Sequence, residues 1–410
     1  MPAWSDFFAD RTRNITSSSI RELLKLIQKP GIISFAGGLP APEVFPVARV
    51  RECCLRMLDE DGRAALQYSP TEGYQPLREW LAAGMTRQGV PVRAANILIT
   101  SGSQQALDLL AKLLIDPGDR ILVEAPTYLG ALQAFNVFGA AYVTVPVDED
   151  GLRLELVEDA LRSGPKFMYI LPTFQNPAGV TLSRERREKL VRLAEKYGVP
   201  IVEDDAYGKL RYEGEDLPSL MALDCAKRPE HGNVIYLSTF SKTLAPGLRI
   251  GWIVAPPDVI AKLVQIKQGA DLQTSTFNQR LVYEVAQDGF LDAYALTIRE
   301  VYRQRRDAML NALQEMFPPE VGWTHPGGGL FLWVTLPPGS DSRQLLELAL
   351  GEGVAFVPGD CFYAGDSDLG RRQMRLNFSY VDPDRIREGI RRLSAAIHQH
   401  LQVAGSGSRV

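Results

Sequence analysis

The chain has 410 residues, too many for one ordinary hydrophobic core, so two packed units are expected. Hydrophobic residues make up 45% and charged residues 23%, the balance of a soluble globular protein, and the formal net charge is −4 with both signs interspersed. No block of Lys and Arg offers a nucleic-acid surface, no apolar run reaches a membrane span, and Met1-Pro-Ala-Trp-Ser-Asp carries no leader-like apolar core. Four cysteines without a CxxC pair argue for a reducing compartment and against a disulfide framework. The four histidines are scattered apart from His398-Gln-His400, which reads as a solvated tail because no carboxylate or cysteine is spaced with it to hold a metal. The expectation is a cytoplasmic protein with no metal, nucleic acid or membrane as partner.

Residues 1–48 read as an arm with one helix. Ser17, Ser18 and Ser19 offer N-caps, Ile20, Leu23, Leu24 and Ile27 recur at helical spacing, and Pro30-Gly31 stops the run. An extended piece, Ile32 to Pro40, follows and contains Gly37-Gly38, where backbone can approach a ligand closely.

From Ile97 to Ala255 short Val/Ile/Leu-rich runs alternate with helical stretches. The runs are Ile97–Thr100, Ile121–Glu124, Tyr142–Val147, Phe167–Leu171, Ile201–Glu203, Val234–Leu237 and Ile250–Ala255; helices are expected at Ser103–Leu114 and Ser183–Tyr197 among others. Such alternation predicts a largely parallel sheet covered by helices on both faces, with ligands beyond the carboxyl ends of its strands. A helical pattern without proline then runs from Ser275 past Gly289 to Met316. Beyond it the pattern is mixed: a strand from Gly329 to Leu336, a helix over Ser342–Leu350, a strand at Met374–Ser379 and an amphipathic helix over Asp384–Leu401. The tail from Ala404 is Gly/Ser-rich and reads as disordered.

The polar motifs fall just after strands. Ser101-Gly102-Ser103 opens a helix, so free amides beside hydroxyls make an anion site, although a plain capped helix has the same sequence. Asn176-Pro177 reads as a turn. Glu203-Asp204-Asp205 ends a strand and Tyr207 follows; three acids suit a solvated loop, a metal or a pyridinium nitrogen. Between the runs at Val234 and Ile250 lies a loop with Ser238, Thr239, Ser241, Lys242 and Arg249, closed by Pro246-Gly247. A solvated loop accounts for one basic residue there. An amine at an apolar sheet mouth, however, loses its proton readily and attacks carbonyls, while hydroxyls with a guanidinium suit phosphate. A carbonyl compound bearing a phosphate suggests pyridoxal phosphate.

In this order the motifs resemble the fold-type-I pyridoxal-phosphate aminotransferases of class I and II. The resemblance spans the chain through Ser101-Gly-Ser-Gln, Pro126-Thr-Tyr128, Gln175-Asn-Pro-Ala-Gly, Glu203-Asp-Asp-Ala-Tyr, Ser241-Lys-Thr-Leu-Ala-Pro-Gly-Leu-Arg and Met374-Arg-Leu-Asn-Phe. Ser19-Ile-Arg-Glu-Leu-Leu-Lys and Ser34-Phe-Ala-Gly-Gly-Leu-Pro-Ala-Pro-Glu are similar to the 2-aminoadipate and kynurenine aminotransferase branch.

The resemblance implies an α/β fold: a mostly parallel seven-stranded sheet with helices on both faces, plus a smaller α+β domain. The arm (1–48) joins the small domain, 49–290 form the large cofactor domain and 291–410 the small one. It implies that Lys242 holds pyridoxal 5′-phosphate as a Schiff base and moves the Cα proton, that Asp204 meets the ring nitrogen, and that Asn176 and Tyr207 meet the ring hydroxyl. Tyr128 stacks on the ring, and Ser103, Gln104, Thr239, Ser241 and Arg249 form the phosphate cup; Thr239 stands where the branch often has serine and keeps the hydroxyl. Arg375 clamps the substrate carboxylate, with Gly38 and Asn176 nearby. Tyr68 reaches the phosphate of a partner subunit, which implies a homodimer with a shared active site. Arg21 meets a distal carboxylate.

The implied reaction moves an amino group from an α-amino acid to a 2-oxo acid such as 2-oxoglutarate. Donors would be 2-aminoadipate or glutamate, with aromatic and branched-chain amino acids tolerated. Two alternatives share the fold: a lyase or decarboxylase using the same cofactor, and a non-enzymatic regulator, which expects a basic helix-turn-helix module ahead of the arm.

Overall fold

The computed structural model describes residues 3–15, 31–228 and 232–407. The expected N-terminal helix and Arg21 lie outside the described residues. Fourteen strands follow one another along the described chain. They are β1 (Ile33–Ser34), β2 (Ile97–Thr100), β3 (Arg120–Ala125), β4 (Ala141–Asp148), β5 (Gly151–Leu152), β6 (Phe167–Ile170), β7 (Ile201–Asp204), β8 (Val234–Thr239), β9 (Gly251–Val254), β10 (Gly322–Trp323), β11 (Phe331–Thr335), β12 (Val354–Ala355), β13 (Val357–Pro358) and β14 (Gln373–Asn377).

The seven expected runs form one sheet in the order β2-β9-β8-β7-β6-β3-β4, and the two-residue β5 hairpins onto β4 as an eighth member. β8, β7, β6, β3 and β4 pair in parallel, whereas β9 runs antiparallel to both β2 and β8. Strand alternation splits the apolar side chains between two faces. Ile99, Met168, Ile201 and Tyr236 pack on one face against helices that include Gln75–Arg87 and Arg184–Tyr197, contributing Leu81, Leu190 and Val191. Leu98, Tyr169, Val202 and Leu237 pack on the other face against helices Ser103–Leu114, Leu129–Asn136 and Pro257–Gln268. Both faces are covered, which is why these strands read as continuous apolar runs.

A second core surrounds the four-stranded sheet β10-β11-β14-β13, antiparallel throughout. Phe331, Val334, Met374 and Leu376 meet Ile386, Ile390 and Leu393 of the closing helix Pro383–Gly407. The later part of the arm joins this core: β1 pairs with β12, and Ile33 and Phe35 are buried within it.

Two expectations are corrected. The helical pattern from Ser275 to Met316 is two helices, Thr276–Ala286 and Phe290–Met316, parted by a tight turn at Gln287–Gly289. Asp288 (φ 58°) and Gly289 (φ 70°) both take left-handed backbone there, which ends one helix and re-aims the next. The tail from Ala404, expected to be disordered, continues the closing helix as far as Gly407.

Candidate active site

The carboxyl ends of β2, β7 and β8 and the loop between β8 and β9 surround a cavity of about 290 Å³. Lys242, Asp204, Tyr207, Asn176, Ser103, Gln104, Tyr128, Thr239, Ser241, Arg249, Gly38 and Arg375 all line it. These groups come from positions as far apart as 38 and 375. Tyr68 does not: it is 76% exposed and borders a different groove, beside Pro70 and Arg280.

One end of the cavity is built for an anion. Helix Ser103–Leu114 starts directly after the turn that follows β2, so its first amides have no intrahelical acceptor. Gly102 (φ 77°) caps it, and a Cβ there would run into the Arg249 guanidinium. Arg249 itself sits at φ 53° and donates to the Ser101 carbonyl and to Ser241 Oγ, both at 3.3 Å. Thr239 Oγ1 lies 2.9 Å from Ser241 Oγ. A cation, two hydroxyls and a helix N-terminus thus converge within one turn.

In the middle lies Lys242. Its Nζ donates to the Gly38 carbonyl at 2.7 Å. Burial, then the charges of Arg375 and Arg249, bring its pKa down from 10.5 to about 8. Asp204 ends β7. Tyr169 donates to its Oδ2 at 2.7 Å, whereas Oδ1 is buried and has no hydrogen-bond partner. Burial raises the Asp204 pKa to about 6. Alternation along β7 sends its neighbours elsewhere: Glu203 accepts from the Leu220 and Met221 amides at 2.9 Å each, and Asp205 accepts from Tyr236 Oη at 2.9 Å.

The far end is again cationic. Arg375, on β14, donates to Asn176 Oδ1 and to the Ala36 carbonyl, each at 2.8 Å, and its Nε is buried without a partner. Its guanidinium lies 4.2 Å from the centre of the Phe331 ring and 5.0 Å from that of Phe362. Burial lowers its pKa to about 10. Phe331 also stands edge-on to Tyr207, with ring centres 5.9 Å apart, and its ring would crowd any Cβ at Gly38 (3.0 Å).

Tyr169, Phe331 and the Ala36 carbonyl were absent from the motif reading. Tyr169 and Phe331 sit within apolar strand runs, and a carbonyl has no residue signature. Gly130 was also missed: a Cβ there would strike the Tyr128 ring, and its carbonyl accepts from Gln104 Nε2 at 2.8 Å.

The residues present fit pyridoxal phosphate. An amine of lowered pKa shares the cavity with a carboxylate oxygen that has no donor, and an anion cup lies at one end. No group of three or more His, Cys, Asp and Glu among the described residues could hold a metal ion. No helix among them is long and apolar enough to cross a membrane.

The family model for aminotransferase class I and II matches residues 37–393. The chain is 47% identical to aromatic-amino-acid aminotransferase 1 of Thermococcus litoralis over 97% of its own length and 96% of the relative's. It is also 47% identical to the 2-aminoadipate transaminase of Thermus thermophilus, over 96% and 97%. Among solved structures, the α-aminoadipate aminotransferase of Thermus thermophilus in complex with N-(5′-phosphopyridoxyl)-L-leucine superposes with a TM-score of 0.91. That match has 45% identity and covers 98% of this chain and all of that one. The chain therefore belongs to the class I and II aminotransferases, as a fold-type-I, pyridoxal-phosphate-dependent member of the 2-aminoadipate and kynurenine branch.

Proposed function

We propose that this enzyme transfers the amino group of 2-aminoadipate or glutamate, and of aromatic and branched-chain donors, to a 2-oxo acid such as 2-oxoglutarate. The observation that carries the assignment of roles is the meeting, in one cavity, of the Lys242 amine and an Asp204 oxygen that has no donor. Bound pyridoxal phosphate supplies an aldehyde and, through its protonated ring, a sink for the electrons left when Cα loses its proton.

The chain's own groups do the rest. Lys242 would hold the cofactor and, with its amine free, would take and return the Cα proton of the substrate. Asp204 would keep the ring nitrogen protonated. Asn176 and Tyr207 would meet the ring hydroxyl, and Tyr128 would stack on the ring. Ser103, Gln104, Thr239, Ser241 and Arg249 hold the phosphate. Arg375 would take the substrate α-carboxylate, while its Nη1 holds Asn176.

Support for a broad donor range comes from relatives named for aromatic amino acids and for 2-aminoadipate. The role of Arg21 toward a distal carboxylate rests on the family resemblance, as does a homodimer in which Tyr68 reaches the partner's phosphate. The 76% exposure of Tyr68 is compatible with that reach.

A half-reaction screen tests the reading: each amino acid should convert the cofactor's absorbance to that of the amino form and release its 2-oxo acid. Ammonia or a decarboxylated amine as the product would overturn it. Arg21→Ala should raise KM for the dicarboxylic donor, a loss worth about 2–5 kcal/mol, and leave leucine or phenylalanine nearly unchanged. Equal loss for both would remove the substrate assignment. For the shared site, Tyr68→Phe protomers mixed with Lys242→Ala protomers should regain activity, and no recovery would count against it.

A further inference from the structure

Tyr169 is fully buried on β6, two strand positions along from Asp204 in the β6–β7 pairing that places Tyr169 opposite Val202. Its ring stands edge-on to Phe135 at 5.6 Å, and Phe135 in turn stands edge-on to Phe167 at 5.7 Å. Within that packing the phenol donates to Asp204 Oδ2 at 2.7 Å. Burial and the nearby Asp204 charge raise its own pKa well above the usual value, so the hydroxyl keeps its proton and remains a donor.

We propose that Tyr169 is a positioning residue for the transamination site: it occupies Oδ2 of Asp204, turns Oδ1 toward the ring nitrogen, and stabilises the carboxylate anion so that the shared proton rests on the nitrogen. This inference rests on the proposed pairing of Asp204 with that nitrogen. A buried carboxylate with one donor draws a proton to itself, because burial penalises the charged form. A second, charge-assisted hydrogen bond reverses that balance, since it exists at full strength only toward the anion. Burial raises the Asp204 pKa while the Tyr169 bond pulls it back, in accord with this geometry. The ring packing of Tyr169 is shared by phenylalanine; the hydroxyl alone carries the role.

The test uses the full-length holoenzyme with pyridoxal phosphate, and with its 1-deaza analogue, in which CH replaces the ring nitrogen. Tyr169→Phe should weaken retention of pyridoxal phosphate about tenfold, the worth of one buried hydrogen bond to a charged group, and leave retention of the deaza analogue unchanged. With ring-¹⁵N-labelled cofactor, the nitrogen resonance should move toward the unprotonated value in Tyr169→Phe. In an Asp204→Asn background the same change should cost nothing further.

Equal loss of both cofactors, or an unchanged ¹⁵N resonance, would overturn the proposal and leave Tyr169 as packing. Should Asp204→Asn itself leave the preference for pyridoxal phosphate over the deaza analogue intact, the Asp204 assignment would fall instead. Were Tyr169→Phe too unstable to purify, the ¹⁵N resonance of enzyme carrying 3-fluorotyrosine at position 169 alone decides the question. A more acidic phenol should move it further toward the protonated value, and no movement would overturn the proposal.

Discussion

Two cavities lie on opposite sides of the strand ends at β7 and β8, sharing Ala206 and Thr239 as a wall. The one behind the sheet is larger, about 410 Å³ against about 290 Å³, and includes Arg187, Glu203, Asp205 and Lys209 in its lining. Yet its two most deeply buried charges, Arg187 and Glu203, are already answered. Arg187 donates to the carbonyls of Leu182, Pro218 and Pro172 and to Thr173 Oγ1; Glu203 is held by two backbone amides. In the smaller cavity Asp204 Oδ1 and Arg375 Nε are buried and unanswered, and the amine of Lys242 is partly deprotonated near neutral pH. Volume does not distinguish a reactive site from a structural one. A buried carboxylate oxygen without a donor, in one cavity with an amine of lowered pKa, does, because a ligand can answer both at once.

The largest expected contrast is between the two lysines. Lys242→Ala should lower turnover by at least about four orders of magnitude, since covalent and proton-transfer roles are lost together. Lys209→Ala, on the wall of the larger cavity, should leave it unchanged. Borohydride reduction followed by peptide mapping checks the same point independently, and a pyridoxyl label on any lysine but Lys242 would break the comparison.

Next come the neighbouring acids. Asp204→Asn should slow proton abstraction by several orders of magnitude, each tenfold being about 1.4 kcal/mol of barrier, as read by single-turnover kinetics. Glu203→Gln should instead cost about 1–3 kcal/mol of stability in chemical denaturation, because one backbone amide loses its acceptor, with turnover little changed. The reverse pattern would mean that the register of β7 is wrong.

The smallest effect is a pH dependence. Covalent capture of pyridoxal phosphate by cofactor-stripped enzyme should rise about tenfold per pH unit up to about 8 and level off above it, because only the neutral amine attacks. Removing the Arg375 charge, as in Arg375→Gln, should move that midpoint upward. The unfolded chain holds this proton more tightly than the folded one, so the same group should make the stripped protein gain stability as pH rises from about 8 to 10.5. A capture rate flat from pH 6 to 9 would show that Lys242 is not the attacking amine.

Much of this was legible because the chemistry is local in sequence. The strand-loop-strand around Lys242 and the three acids after Ile201 announce themselves by residue type, and alternation alone singles out Asp204 from its neighbours. The pairing of Arg375 with Asn176 was not legible as a contact, since 199 positions separate them and only the meeting of two cores brings them to 2.8 Å. Tyr169 was hidden because a tyrosine in an apolar run looks like core, and most of its surface is core. The corner at Asp288 was hidden for a different reason: a left-handed aspartate breaks a helix without the proline that usually marks such a break.

That corner has a mechanical meaning. Helix Phe290–Met316 has 27 residues, a rod of about 40 Å, and it starts where Phe290 touches both cores. Its distal half, at Met309 and Leu313, is embedded in the core that carries Arg375. The rod is therefore a lever arm whose fulcrum is two residues long. A rotation of about 5° at Asp288–Gly289 would carry the far end by about 3.5 Å, more than the length of a hydrogen bond. Any rotation at that turn would therefore change the gap between the carboxylate clamp and the amine of Lys242.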